Sequence, residues 1–187
     1  MKIVLGSASP RRSELLSQMG FEFRILKADC SEEFDESSTP EKIVLSIAEQ
    51  KAAVLNLEVQ TDELLICADT IVYLENKVIG KPIDSEDAIR LLHKINGKKH
   101  DVYTGVVMIY NGKTSSFAVR TSVYFRVLTL VEIEHYVTHF NPLDKAGSYG
   151  IQDWIGLIGV EKIEGSYTNV MGLPTQELFV ALQDLLE

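Results

Sequence analysis

Leu5-Gly6-Ser7-Ala8-Ser9-Pro10-Arg11-Arg12, running on into Ser13-Glu14-Leu15-Leu16, is the stretch from which the fold is read. The apolar residues Ile3 to Leu5 predict a short strand that meets Gly6 and two small hydroxyl residues. A proline follows where the first turn of a helix would begin. Ser9 reads as the N-cap and Pro10 as the first helical residue, where a missing N–H costs nothing. Arg11 and Arg12 come next, beside the N–H groups of the first turn and the positive end of the helix dipole. Acidic side chains are favoured there by about 0.3–1 kcal/mol each, so two arginines oppose the helix unless an anion joins them. Backbone N–H groups, two serine hydroxyls and two guanidinium groups at one helix start suit a phosphate chain. An ordinary strand–turn–helix with two solvated arginines has the same spacing.

The 187 residues around this stretch predict one domain, residues 1–187, with enough chain for a full core. Hydrophobic content of 45% and charged content of 24% are those of a globular protein. No apolar run approaches the ~20 residues of a membrane span, and no signal-peptide apolar region precedes the first strand. The expectation is a cytoplasmic protein without a membrane partner. Cys30 and Cys67 have neither metal-type nor redox-type spacing and read as free thiols. The formal charge of −9 argues against nucleic-acid binding, which needs a basic face. A small anionic ligand is still possible, provided that clustered cations, a metal ion or both meet it.

Along the chain, Gly20 reads as a helix stop and Phe21 to Leu26 as a second strand. Asp29 to Ser38 is a loop with five carboxylates, either a solvated surface or a site for a hard cation such as Mg²⁺. Thr39-Pro40-Glu41 opens a helix whose apolar residues Ile43, Val44, Ile47, Ala48, Val54 and Leu55 fall on one side. Lys51 lies near the centre of that side, where it must snorkel, shift its pKa or find an anionic partner. Leu64 to Ala68 reads as a central strand, with Asp69-Thr70 at its C-terminal end, where open α/β sheets carry ligands. Ile71 to Leu74 and Val78-Ile79 then read as a hairpin that could bring Lys81 near Asp69.

Asp84 or Ser85 starts a helix through Ile95, and Asn111-Gly112 marks a long hairpin between Val102 to Tyr110 and Thr114 to Val127. Thr129-Leu130-Val131-Glu132 is a capping box for a helix through about His139. His135 and His139 stand at i, i+4 without a third ligand spaced as in a zinc motif. Gln152 ends a glycine-bearing loop and could read a base edge, since one amide offers donors and an acceptor. Trp154 to Val160, apolar and glycine-spaced, reads as a core strand or a dimer contact, and Thr175 caps a final leucine-rich helix.

Taken together, these residues resemble the Maf family of nucleoside triphosphate pyrophosphatases, once described as septum formation inhibitors. The matching residues are Ser7-x-Ser9-Pro10-Arg11-Arg12-x-x-Leu15-Leu16, Glu32, Glu49-x-Lys51-Ala52, Ala68-Asp69-Thr70 and Gly80-Lys81-Pro82. The match continues with Asp144-Lys145-Ala146-Gly147-x-Tyr149-Gly150-Ile151-Gln152, Gly165-Ser166-Tyr167 and Gly172-Leu173-Pro174. The loop before Glu32 departs from the pattern, with Ser31 where many members carry an acid.

The resemblance implies an α/β fold with an elongated mixed β-sheet flanked by helices, two lobes around a cleft, similar to inosine triphosphate pyrophosphatase. It implies hydrolysis of a nucleoside triphosphate substrate to monophosphate and pyrophosphate, aided by a divalent metal cation (Mg²⁺ or Mn²⁺). Asp69, Lys51 and Lys81 are the expected catalytic residues. Ser9, Arg11, Arg12, Thr70 and Gln152 are expected to bind substrate, and Glu32 and Asp69 to hold the metal. The residues at Arg12, Thr70 and Gln152 look like those of the dTTP/UTP branch. House-cleaning of non-standard nucleotides and a link to cell division are further expectations, and a homodimer is one that rests on the Trp154–Val160 segment. A non-enzymatic nucleotide-binding regulator of septum formation, or a pyrophosphatase for a modified purine triphosphate, are the competing expectations.

Overall fold

Why the first strand ends where it does is seen in the computed structural model, which describes residues 2–186. Strand β1 (Lys2–Gly6) lies parallel to β2 (Phe23–Ile25) on one side and to β3 (Glu63–Leu74) on the other. Gly6 is the last paired residue, opposite Cys67. A Cβ at Gly6 would collide with the Cys67 Sγ and the Leu55 side chain, so only glycine fits this close exit. Helix α1 (Pro10–Gln18) follows, with Pro10 at its first position and Gly20 in the left-handed region (φ 82°) just past its end. Ser9 takes the N-cap position, but its side chain makes no capping hydrogen bond; the Ser9 carbonyl accepts from Ser13 N at 3.2 Å instead.

The described residues form a seven-stranded sheet in the order β2-β1-β3-β5-β6-β7, with β4 (Lys77–Ile79) antiparallel on β3. Strands β5 (Lys99–Tyr110) and β6 (Lys113–Phe125) are joined at Asn111-Gly112, both with positive φ (50° and 75°). Such a turn matches the twist of the strands it joins. Strand β7 (Val160–Glu164) pairs antiparallel with β6. Parallel and antiparallel pairs together make the sheet mixed, and the protein is α/β as expected.

The remaining helices are α2 (Pro40–Leu55), α3 (Ser85–Ile95), α4 (Leu130–Phe140), α5 (Trp154–Gly159), α6 (Tyr167–Met171) and α7 (Thr175–Leu186). Asp84 caps α3 by accepting from Asp87 N at 2.8 Å. The capping box of α4 is complete: Thr129 Oγ1 accepts from Glu132 N, and Glu132 Oε2 accepts from Thr129 N.

Three expectations are corrected. Asp69 and Thr70 do not end a strand; β3 is continuous from Glu63 to Leu74, and it is β1 that stops short of them. Trp154–Gly159 is helix rather than strand, closed by Gly156 N and Leu157 N on the Asp153 carbonyl. Thr175 is the first residue of α7, not its cap, and the Pro174 carbonyl accepts from Leu178 N at 2.9 Å.

The chain divides into two compact units. One comprises residues 1–70, 104–119 and 172–187, and the other 71–103 and 120–171. The first has a core of Val4, Ala48, Ala52, Leu55, Leu65, Cys67 and Val107, where α2 covers the sheet. Gly105 permits that approach, since a Cβ there would lie 2.6 Å from the Val44 backbone. The second packs α3, α4 and α5 around Val123, Phe125, Ile133, Tyr136 and Ile155. Each large apolar side chain fully buried in these cores contributes ~1.5–3 kcal/mol.

Candidate active site

In the first unit, the buried face of α2 holds Ile43, Val44, Ile47 and Ala48, with Lys51 among them and only 9% exposed; Val54 is not on that face and is 39% exposed. Lys51 solves its burial by pairing. Its Nζ donates to Asp69 Oδ1 at 2.6 Å and lies 2.9 Å from Glu32 Oε1. Asp69 reaches it because β3 carries on past the end of β1. Glu32 reaches it from the acidic loop with a left-handed backbone (φ 52°), which a residue with a Cβ seldom adopts.

Arg12, expected near a phosphate at the start of α1, turns inward and is held on three sides. Its Nε donates to the Gly172 carbonyl at 2.7 Å, Nη1 to Ser7 Oγ at 3.0 Å and Nη2 to Thr70 Oγ1 at 2.9 Å. Burial pushes the guanidinium pKa down, and the nearby Asp69 carboxylate pulls it back up. Ser7 also accepts from Ser9 N at 3.2 Å, and Thr70 Oγ1 lies 2.9 Å from Thr104 Oγ1. Arg11 is half-buried on the same helix, and Ser9 is half-buried at its cap. Ser7, Thr104 and the Gly172 carbonyl thus join a network that sequence reading did not assign to them. Ser7 lay within the stretch quoted first, but a threonine within a β-strand carries no signal beyond strand propensity.

Lys81 and Gln152 belong to the second unit. Lys81 is exposed on the segment after β4. Gln152 is half-buried, and its Oε1 is shut off from solvent without a hydrogen-bond partner. An amide oxygen buried in that state costs ~1–3 kcal/mol. The loop that presents it is braced at both ends. Tyr136 OH accepts from Gly150 N at 3.1 Å and donates to Asp153 Oδ2 at 2.7 Å. Tyr149 OH lies 2.7 Å from His100 Nε2, and both rings pack edge-on or tilted against Phe125. The His135 and His139 rings lie 4.2 Å apart, tilted by 30°, and His139 Nδ1 bonds the His135 carbonyl at 2.8 Å.

Among the described residues, no group of three or more His, Cys, Asp and Glu side chains is arranged to hold a metal ion. Two carboxylates do share one cation: Glu32 and Asp69 both meet the Lys51 ammonium. Mg²⁺ is commonly bound by one or two carboxylates, with water and substrate phosphates completing its shell. The Glu32–Asp69 pair fits that mode.

Such a chain is a mixed-sheet α/β protein with a charged, nearly buried polar centre where β1 gives way to α1. The family model described as Maf-like protein matches residues 2–185. The chain is 47% identical over 185 residues to the dTTP/UTP pyrophosphatase of Bacteroides fragilis, covering 98% of this chain and 96% of that protein. It is 48% identical over 185 residues to the dTTP/UTP pyrophosphatase of Phocaeicola vulgatus, with the same coverage. Among solved structures, the Ham1 protein of Staphylococcus aureus matches at a TM-score of 0.43 and 14% identity, over 67% of this chain and 72% of that one. The protein belongs to the Maf family.

Proposed function

We propose that the protein hydrolyses UTP and dTTP to the nucleoside monophosphate and pyrophosphate. The observation that carries this reading is the Lys51–Asp69–Glu32 cluster beyond the end of β1, in a chain so similar to proteins named dTTP/UTP pyrophosphatase. A water oxygen attacks the α-phosphorus and bonds to it, the bond from that phosphorus to the α–β bridging oxygen breaks, and pyrophosphate leaves. Asp69 takes the water's proton. Its Oδ1 is engaged by Lys51, so Oδ2 is the atom assigned to receive it. Lys51 and Lys81 offset charge on the phosphates, and Arg11 with Ser9 binds the phosphate chain at the start of α1. Two unit charges 4 Å apart interact by roughly 4 kcal/mol at an effective dielectric of 20, so an acidic protein needs such a cluster to hold a triphosphate. Glu32 and Asp69 would hold a divalent cation, Mg²⁺ or Mn²⁺, which when bound neutralises phosphate charge.

Uracil and thymine present two carbonyls flanking one N–H. The Gln152 amide can accept from that N–H, and Thr70 and Arg12 supply donors for a carbonyl. Cytosine has a bare nitrogen for the N–H and an amino group for one carbonyl, which leaves these groups unpaired. Uracil and thymine differ by one methyl, worth only ~1–3 kcal/mol in binding. No helix among the described residues is long and apolar enough to cross a membrane, and Cys30 and Cys67 are free thiols, as suits the cytoplasm.

A panel of nucleotides with Mg²⁺ or Mn²⁺, followed by product analysis, tests the reading. UTP and dTTP should be comparable substrates, with CTP and purine triphosphates poor ones. Binding without turnover would favour a regulator, and preference for a modified purine would favour house-cleaning; either overturns the reading.

A further inference from the structure

The Thr70 hydroxyl has more neighbours than one proton and two lone pairs can serve equally. Arg12 Nη2 lies 2.9 Å from Thr70 Oγ1, and a guanidinium only donates, so one acceptor position is filled. Thr104 Oγ1 lies at 2.9 Å and is fully buried on β5. The Gly172 carbonyl stands at 3.5 Å, long for an O–H···O bond, and already accepts from Arg12 Nε at 2.7 Å. What Thr70 shows to a ligand therefore depends on which way the bond to Thr104 runs. If Thr104 donates, both acceptor positions on Thr70 are occupied and only its proton is left.

We propose that Thr104 is a positioning residue for base choice: it donates to Thr70 and so makes Thr70 a donor only toward the substrate. The proposal rests on the UTP/dTTP reading above and extends it to a residue beyond the expected set. A carbonyl oxygen on the base accepts the Thr70 proton at normal length in preference to the distant Gly172 carbonyl. An amino group there brings a second donor and finds no lone pair. Without the Thr104 hydroxyl, Thr70 regains an acceptor position and can rotate to receive an amino proton, so one of the two mismatches that refuse cytosine is relieved. Loss of a merely structural hydroxyl would instead weaken UTP and CTP alike.

The test compares kcat/KM for UTP, dTTP and CTP in the wild type, Thr104→Val and Thr104→Ser, with thermal unfolding of each. Thr104→Val should lower the UTP-to-CTP ratio by about tenfold or more, through a gain with CTP as well as a loss with UTP. Thr104→Ser restores a hydroxyl and should keep the wild-type ratio. If Thr104→Val does not fold, Thr104→Ala, which relieves crowding, carries the same comparison. A wild type that prefers UTP, beside a valine or alanine variant with an unchanged ratio, overturns the role of Thr104 alone. A wild type that releases no pyrophosphate from UTP overturns the functional reading and this inference together.

Discussion

Lys51 in the first unit and His100 in the second are both basic side chains in buried positions, 9% and 2% exposed, and the protein treats them differently. Two carboxylates meet Lys51, at 2.6 and 2.9 Å. No carboxylate hydrogen-bonds the His100 ring; it sits between Tyr149 and Phe125, its Nδ1 has no hydrogen-bond partner, and burial pushes its pKa down to about 4. His100 is therefore a neutral packing group that anchors the loop before Gln152. Charge–charge clusters removed from water are often no more stabilising than apolar packing of the same volume. Where a fold keeps one, as around Lys51, the charges are better explained by a ligand than by stability. One unit thus supplies a charged centre, and the other holds a loop in place through uncharged contacts.

Breaking the charged side should have the largest effect. Asp69→Asn is nearly isosteric and removes the proton acceptor. Turnover should fall roughly hundred- to ten-thousand-fold, while the circular dichroism spectrum and melting temperature stay close to wild type. Near-normal turnover would remove Asp69 from its assigned role.

On the neutral side the probe is pH. With a folded pKa of about 4 against 6.5 unfolded, His100 binds a proton more readily in the unfolded chain. Its contribution to stability is fully present above pH 6.5, declines as pH falls from 6.5 to 4, and has gone below that. The loss amounts to about 3 kcal/mol. Urea unfolding at several pH values should show this slope in the wild type, and His100→Gln should flatten it. An equal slope in both proteins would place the acid sensitivity elsewhere.

A smaller effect on stability is expected from Lys51→Met, which leaves Asp69 and Glu32 without their shared cation. Stranding a fully buried charge costs about 3–5 kcal/mol. The Glu32 side chain is 45% exposed, against 13% for Asp69, so water relieves much of the repulsion and about 2 kcal/mol is expected. The urea midpoint measures it, and added Mg²⁺ should recover part of the loss because a divalent ion can replace the ammonium between the carboxylates. No recovery with Mg²⁺ would count against Glu32 and Asp69 as a cation site.

Local chemistry made much of the fold legible. Pro10 and Pro40 mark helix starts, Asp84 and the Thr129–Glu132 box cap helices, and Asn111-Gly112 turns a hairpin; each acts within four residues of itself. The pairing of Lys51 was legible because a lysine in an apolar stripe needs a partner. The continuity of β3 was not, because Asp69-Thr70 interrupts an apolar run, and the partners that make polar residues tolerable there lie far away in sequence. Lys51 is 18 positions from Asp69, and Arg12 is 58 from Thr70. Helix α5 was hidden for a related reason. Two glycines in six apolar residues suggest a strand, and the helix is imposed by the turn at Asp153. Thr104 was hidden altogether, since its contact with Thr70 spans 34 positions.

The most direct test of the central claim, attack by water at the α-phosphorus, is UTP hydrolysis in water labelled with heavy oxygen, with mass analysis of both products. One labelled oxygen is expected in UMP and none in pyrophosphate. Label in pyrophosphate, or release of UDP and orthophosphate, would contradict it.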